Sequence, residues 1–422
     1  MNQMAGTKAA GTLDPSFGND GVVKAPEGTK SIAVLPNNKL IVLTGASLRE
    51  PLTVARLTEA GELDSSFGND GVVEVPVTGP NMLAGQIIAL KNGDYLISGY
   101  ESGTAPTRKY VCRLLANGQL DASFGQGGMA TISIADIAGA NIGEGARFIN
   151  SPEDEVAGNA TFWGSDQLVV SEQGAKIYLS AHIYSEKRGF EGIVFRLNEN
   201  GSRDTSFNGG YVLISPLDVG SNIRLTSLTA QGDGVLVGGG FVTTGGLRQV
   251  AFLSRYDLSG NLDISFGERG TVIIPNGTDG RTSVITSVVV SNSGLIVASG
   301  ESGKSGENEG LITVLNPNGG FNLIFNAGRP LYAAFVPDLV FSTSVLPQGR
   351  KIIVTGSGDG GYLVAARYEL DGSLDLTFGG KGWVVFHPGG ALTAVSSELT
   401  PDNKIVVLGS RTFDRYVVRY LG

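Results

Sequence analysis

An eleven-residue phrase, "LDPSFGNDGVV" at 13–23, returns six more times along the chain. It reads "LDSSFGNDGVV" from Leu63, "LDASFGQGGMA" from Leu120 and "SRDTSFNGGYV" from Ser202. It reads "LDISFGERGTV" from Leu262 and "LDLTFGGKGWV" from Leu374, and a degenerate copy, "FNLIFNAGRPL", begins at Phe321. Registered on the leading Leu position, the copies stand at 13, 63, 120, 203, 262, 321 and 374. Their intervals are 50, 57, 83, 59, 59 and 53 residues. Repeats of this period build solenoids, arrays or propellers. The chain ends choose among them. The 48 residues after Leu374 and the 13 up to Leu13 together amount to one repeat. A chain out of phase with its own repeat unit suits a closed ring, whose two ends share one unit.

Within a unit the pattern is strand after strand. "SIAVLPNNKLIVLTGAS" holds two apolar runs joined at Asn37-Asn38, a tight hairpin. "LTVARLTEAGELD" supplies a third run and "FGNDGVVEVP" a fourth. "IIALKNGDYLISGY", "VVVSNSGLIVASG" and "ELTPDNKIVVLGS" repeat the hairpin. Four short antiparallel strands, seven times, predict an all-β fold: one seven-bladed β-propeller spanning 1–422. The first strand of each blade lines the channel and the fourth forms the outer edge. The C-terminal "DRYVVRYLG" is the third strand of the last blade, 391–422, and residues 21–26, "GVVKAP", supply its missing fourth. That closure leaves no loose seam at the chain ends. The 63 glycines, well above the usual ~7% share, suit the many tight turns.

The repeated phrase is then the corner between third and fourth strands. Its Leu and Phe, such as Leu63 and Phe67, are expected to bury between neighbouring blades. Its Asp, such as Asp64, can close an Asx-turn, and Gly68 and Gly71 permit positive φ. Calcium ligation by Asp14, Asn19 and Asp20 is the competing reading. The matching positions become Gln126-Gly127, Glu268-Arg269 and Gly380-Lys381. A repeated metal site would not shed its oxygens so freely, so the corner is read as structural and no metal or cofactor is assigned.

"KIIVTGSGDGGYLVAARYELDGSLDLTFGGKG", residues 351–382, resembles the bacterial delta-60 repeat, a β-propeller repeat of unassigned function. The resemblance extends over nearly the whole chain. It departs at Asn208 and at Phe321 to Asn326, and it leaves an extra segment between the third and fourth copies. It implies the propeller fold and no particular reaction.

Bulk properties exclude several classes. A net charge of −9 with 17% charged residues lacks the basic footprint of a nucleic-acid protein. One cysteine, Cys112, rules out an intrachain disulfide framework. The N-terminus has no apolar core of a Sec signal peptide, and no window reads as a membrane span. A cytoplasmic chain, or one exported by a non-classical route, is expected. Catalytic patterns are thin. His182 and His387 fall in different blades, "GSGDGG" at 356–361 is no nucleophile elbow, and "GKS" at 303–305 joins two strands. Cys112, Trp163 and Trp383 read as core residues. No catalytic residue is assigned.

Loop length carries more. The corners and the first-to-second strand turns are uniform, whereas the second-to-third loops and the entries into each blade vary. These variable segments open on one face. Candidate ligand-binding residues there are Arg49, Arg108 and Lys109, then Lys187 and Arg188, then Arg248, Lys304 and Arg411. The longest insertion, 136–164, adds Glu144, Arg147, Phe148, Asp154 and Trp163, and is expected to form an ordered flap over the channel mouth. The expected function is a non-catalytic binding or scaffold module that contacts a protein or glycan on this face. The alternatives are a glycan-active hydrolase or lyase with acidic residues in the funnel, and a lectin-like propeller.

Overall fold

The computed structural model describes residues 9–45, 51–76, 82–101, 103, 106–137, 145–149, 166–171, 176–214, 223–232, 234–242, 249–276, 280–304, 306–412 and 414–422. Seven antiparallel sheets form, ordered first to fourth strand from the channel outward. Blade one comprises Thr29–Val34, Leu40–Thr44, Thr53–Leu57 and Val72–Glu74. Blades two to six follow in chain order over 82–133, 147–214, 223–273, 282–333 and 345–386. Blade seven comprises Thr393–Leu399, Ile405–Arg411 and Asp414–Tyr420, completed from the other end of the chain by Val22–Ala25. Val22 lies opposite Val418 and Ala25 opposite Arg415. The ring closes as its repeat phase predicts. Each interface between neighbouring blades is filled by its own apolar cluster. At the closure, Val406, Leu408 and Val417 meet Ile32, Leu40 and Val42 of blade one.

The corner shows why its sequence repeats. Phe67 is fully buried and meets Tyr95 of the next blade edge-on, with ring centroids 6.2 Å apart. Leu63 does not bury: it is 53% exposed. A bridge to Leu57 at the end of the third strand leaves its side chain outside, over Gly71. Gly68, at φ 56°, suits glycine, since a Cβ would stand 2.4 Å from the Val72 carbonyl oxygen; the fourth copy has Asn208 there, at φ 43°. Asp64 closes the expected Asx-turn, accepting from Ser66 N at 3.2 Å and Ser66 Oγ at 2.6 Å. Its second oxygen takes Arg56 Nε and Lys39 Nζ, each at 2.7 Å. Both oxygens are therefore engaged by protein groups.

That arginine, eight residues before the aspartate, recurs as Arg113–Asp121, Arg196–Asp204, Arg255–Asp263 and Arg367–Asp375, and across the chain ends as Arg419–Asp14. Each guanidinium also lies over the corner Phe, as Arg56 does over Phe67 at 4.6 Å. Several reach a carbonyl of the following blade: Arg56 donates to Ala116 O, and Arg196 to Leu258 O at 2.6 Å. The corner thus bolts one blade to the next. In the degenerate copy Asn322 replaces the Asp and Val314 the Arg, so the two charges disappear together. Phe67→Ala is expected to cost about 3–5 kcal/mol through the cavity it leaves. Exposed Leu63→Ala should stay within about 0.5 kcal/mol. Denaturant midpoints compare the two, and equal losses would contradict this assignment.

Segment 136–164 is not one loop over its described length. Ile134–Asp136 is a 3-10 turn, and Arg147–Ile149 is a strand whose residues face Tyr184, Ile183 and His182. Leu168–Val170 faces Leu179, Tyr178 and Ile177 on the same neighbour. Together they are the innermost strand of blade three in two pieces. Residues 138–144 and 150–165, with Glu144, Asp154 and Trp163, lie outside the described residues.

Candidate functional site

Antiparallel order puts the first-to-second turns and the corners on one face of the ring. The second-to-third loops and blade entries open on the other. The corner face repeats one construction; the opposite, varied face differs in every blade. Between them runs the channel wall, which has a construction of its own. The innermost strands carry a bulge at one level, at Lys30, Thr226, Thr286 and Val395, and between Ala84 and Ile87. A bulge re-aims side chains, and here polar groups at or beside that level reach the following blade. Ile87 N donates to Ser31 Oγ at 3.2 Å, and Leu168 N to Gln86 Oε1 at 2.8 Å. Leu225 N donates to His182 Nε2 at 2.8 Å, Thr226 Oγ1 to Ile285 O, and Thr286 Oγ1 to Phe341 O. Thr343, Thr355 and Ser397 join blades six and seven through hydroxyl contacts of 2.6 Å. This belt ties six consecutive interfaces. The break in blade three falls at the same level, so the insertion leaves where the ladder is already interrupted.

On the varied face, charged groups are held in pairs. Arg188 donates to Glu191 from Nε and Nη2, at 2.7 and 2.6 Å. Arg224 of blade four reaches Glu301 of blade five at 3.4 Å, and Arg281 pairs with Glu309. Lys24 and Arg411 share Asp414, at 2.8 and 2.5 Å. Arg147 stacks 4.8 Å over Tyr184. Arg108, Lys187 and Lys304 are exposed at strand ends and turns, each in its own blade. Arg49 and Arg248 lie outside the described residues.

Two candidates are corrected. Lys109 and Phe148 are fully enclosed rather than presented to a ligand. Lys109 Nζ pairs with Asp166 at 2.5 Å and sits 5.3 Å from the Phe148 ring, because both residues are strand positions facing inward. Burial raises the Asp166 carboxyl against the pull of Lys109. Trp383 lies at the margin of the core: half-buried on an edge strand, it packs against the cluster between blades five and six and stacks on Phe335 at 4.9 Å.

Among the described residues, neither His182 nor Cys112 is poised for acid–base chemistry. Burial, with the charges of Lys109 and Arg224, pushes His182 down to about 3, and its Nε2 lone pair is already engaged. Burial pushes the Cys112 thiol up to about 12. Among the described residues no group of three His, Cys, Asp or Glu is placed to hold a metal ion.

Glu398 is the exception. It stands opposite Val406 on the innermost strand of blade seven, where the other blades have Ala33, Ile88, Val169, Thr229, Val289 and Leu346. Burial pushes its carboxyl up to about 7. The folded protein therefore holds a proton that the unfolded chain has released, so stability falls as pH rises from about 4.5 towards 7. Glu398→Gln should raise the melting temperature at pH 8 and leave it unchanged near pH 4.5. An equal shift at both pH values would show a packing effect instead.

Comparison with known proteins agrees with this architecture. Residues 91–124, 183–207 and 350–378 match the family described as "Domain of unknown function (DUF5122) beta-propeller". The chain resembles a β-propeller family. Its three matched segments each end in a corner motif, so the likeness lies in the repeated frame. No curated protein matches the propeller. Among solved structures, the polysaccharide lyase Uly1 is 12% identical with TM-score 0.48, over 100% of this chain and 94% of that one. Drosophila Plexin A in complex with Semaphorin 1b is 9% identical with TM-score 0.49, over 97% and 88%. A gluconolactonase from Xanthomonas campestris is 12% identical with TM-score 0.38, over 99% and 96%. These likenesses say nothing of what this propeller binds. No helix among the described residues is long and apolar enough to cross a membrane.

Proposed function

We propose that the propeller is a non-catalytic binding module whose varied face engages a protein or glycan partner. The observation that carries this reading is the contrast between its faces. One face repeats an Arg–Asp–Phe bolt in six blades, while the other sets a different side chain at each blade's loops. A rigid frame presenting unlike groups around a ring suits a single partner that spans several blades. The ion pairs of that face support binding over chemistry: a glycosidase needs two carboxyl groups tuned apart, whereas Glu191, Glu301, Glu309 and Asp414 each lie against a cation. The delta-60 repeat that the motifs resemble carries no assigned reaction, which is compatible. The test is a panel of purified polysaccharides and proteins, assayed for binding and for product. Saturable binding without released sugar, weakened by Arg188→Ala with Lys304→Ala, is expected. Release of reducing ends or of unsaturated uronic products would establish the hydrolase or lyase alternative.

A further inference from the structure

The corner face is not uniform in one respect. The residue after the corner aspartate is exposed in every blade, so the core does not dictate it. Four corners carry Pro15, Ser65, Ala122 and Thr205 there. The other three, consecutive in blades four, five and six, carry Ile264, Leu323 and Leu376, which are 79%, 80% and 67% exposed. Ile324, beside Leu323, is 70% exposed. Large aliphatics held in water at equivalent places on three neighbouring turns have no role within the ring.

Charge changes over the same arc. The turn position that reads Asp20 and Asp70 in blades seven and one reads Arg269 and Lys381 in blades four and six. Arg329 follows the blade-five corner, Arg350 tips the first-to-second turn of blade six, and all four cations are exposed. The acids on this arc are Glu268 and Asp371, exposed, Asp257, which accepts from Ser259 and Asn261, Glu369, which pairs with Lys351 at 3.1 Å, and the corner aspartates Asp263 and Asp375, which pair with Arg255 and Arg367. Despite the net charge of −9, one arc of this face therefore sets four exposed cations among exposed aliphatics, while the arc across the ring carries Asp20, Asp70, Glu59 and Glu62.

We propose that the corners of blades four to six dock on an anionic bilayer surface. Aliphatics on separate turn tips, one blade apart, do not make the continuous patch that a protein interface buries. A bilayer meets all the tips at once, taking aliphatic side chains into the acyl boundary and cations at the phosphate level. The tips need no ordering on contact, because each corner is tied to the next blade, as Gly267 N is to Asn318 O at 2.9 Å and Asn326 N to Asp371 O at 2.9 Å. The acidic corners of blades seven and one lift away, so the ring sits tilted. The varied face then points to solution, free for a soluble partner. This inference concerns the opposite face and stands whether or not the binding reading holds.

Cosedimentation of the full chain with vesicles tests it, using phosphatidylcholine alone and phosphatidylcholine with phosphatidylserine. One variant combines Ile264→Ser, Leu323→Ser, Ile324→Ser and Leu376→Ser; a second combines Arg269→Glu with Lys381→Glu. The first alters exposed side chains and should keep the wild-type melting temperature; the second also takes Lys381 off the Trp383 ring, and its melting curve should stay cooperative. The wild type is expected to pellet with the phosphatidylserine vesicles, less with phosphatidylcholine alone and less at raised salt. Each variant should lose about tenfold or more of that affinity. A wild type that stays in the supernatant overturns the proposal, as do variants that pellet equally. Sedimentation velocity completes the test: aliphatic-dependent self-association without lipid binding would make the arc a contact between copies, and the proposal would fall.

Discussion

Arg419→Ala is expected to destabilise the propeller by about 3–5 kcal/mol, since it leaves a buried carboxylate without its main partner. Arg419 is fully buried, and it donates from Nε to Asp14 Oδ2 at 2.8 Å, across 405 residues of chain. Its Nη1 reaches Glu59 O of blade one at 2.7 Å, and its guanidinium lies 4.3 Å over Phe17. One side chain therefore holds the two chain ends together and fastens their blade to the next. In its absence Asp14 keeps only Ser16 and Lys404, the latter at 3.3 Å. Burial would raise the Asp14 carboxyl, but the Ser16 hydrogen bonds and the Arg419 charge hold it down at about 2. The stabilisation is therefore complete above the ordinary value of 3.8 and is lost as pH falls towards 2. Denaturant midpoints at pH 7 measure the loss, and it should shrink at low pH. Adding Asp14→Asn to Arg419→Ala should recover part of it, separating the stranded charge from lost packing. A loss below about 1 kcal/mol would mean that the pair is incidental.

Removal of residues 1–26 should be more damaging still. The deletion takes away Val22–Ala25, the fourth strand of blade seven, and with it Phe17 and Asp14 of the corner. Asp414–Tyr420 becomes an open edge beside an apolar interface that has lost its Phe, a template for pairing between chains. The truncated protein should elute as aggregate and lose its cooperative melt. A synthetic peptide of residues 9–26 added during refolding should restore monomer, since the edge accepts that strand. A monomeric truncation with an unchanged melting temperature would show that the ring does not depend on this closure.

The corner separates what was legible from what was not. Its Asx-turn and its glycines were readable because each involves residues within a few positions, where the chain's own geometry decides. Leu63 departs from its pattern: apolar character predicts burial, yet a strand-end bridge turns the side chain out. The arginine partner was written in the sequence at a constant spacing, Arg56 to Asp64 and Arg113 to Asp121, and the joint loss at Val314 and Asn322 was the available signal. For the channel belt, the recurring Ser and Thr of the inner strands, such as Ser31, Thr226 and Thr286, were the trace. Nothing in their local pattern says that a bulge aims them at the next blade.

The number of blades, the order of strands and the sharing of the last blade between the chain ends are all readable from the amino-acid order alone. Those follow from period and phase, which a repeated unit carries wherever it lies. The folded ring was needed to see that Lys109 and Phe148 are sealed inside, that Glu398 occupies an otherwise mostly apolar position, and that the insertion of blade three splits an innermost strand. It alone showed which corner side chains have no cover. Burial and pairing depend on what the neighbouring blade brings to the interface, and that neighbour is a long stretch of chain away, or 405 residues away at the closure.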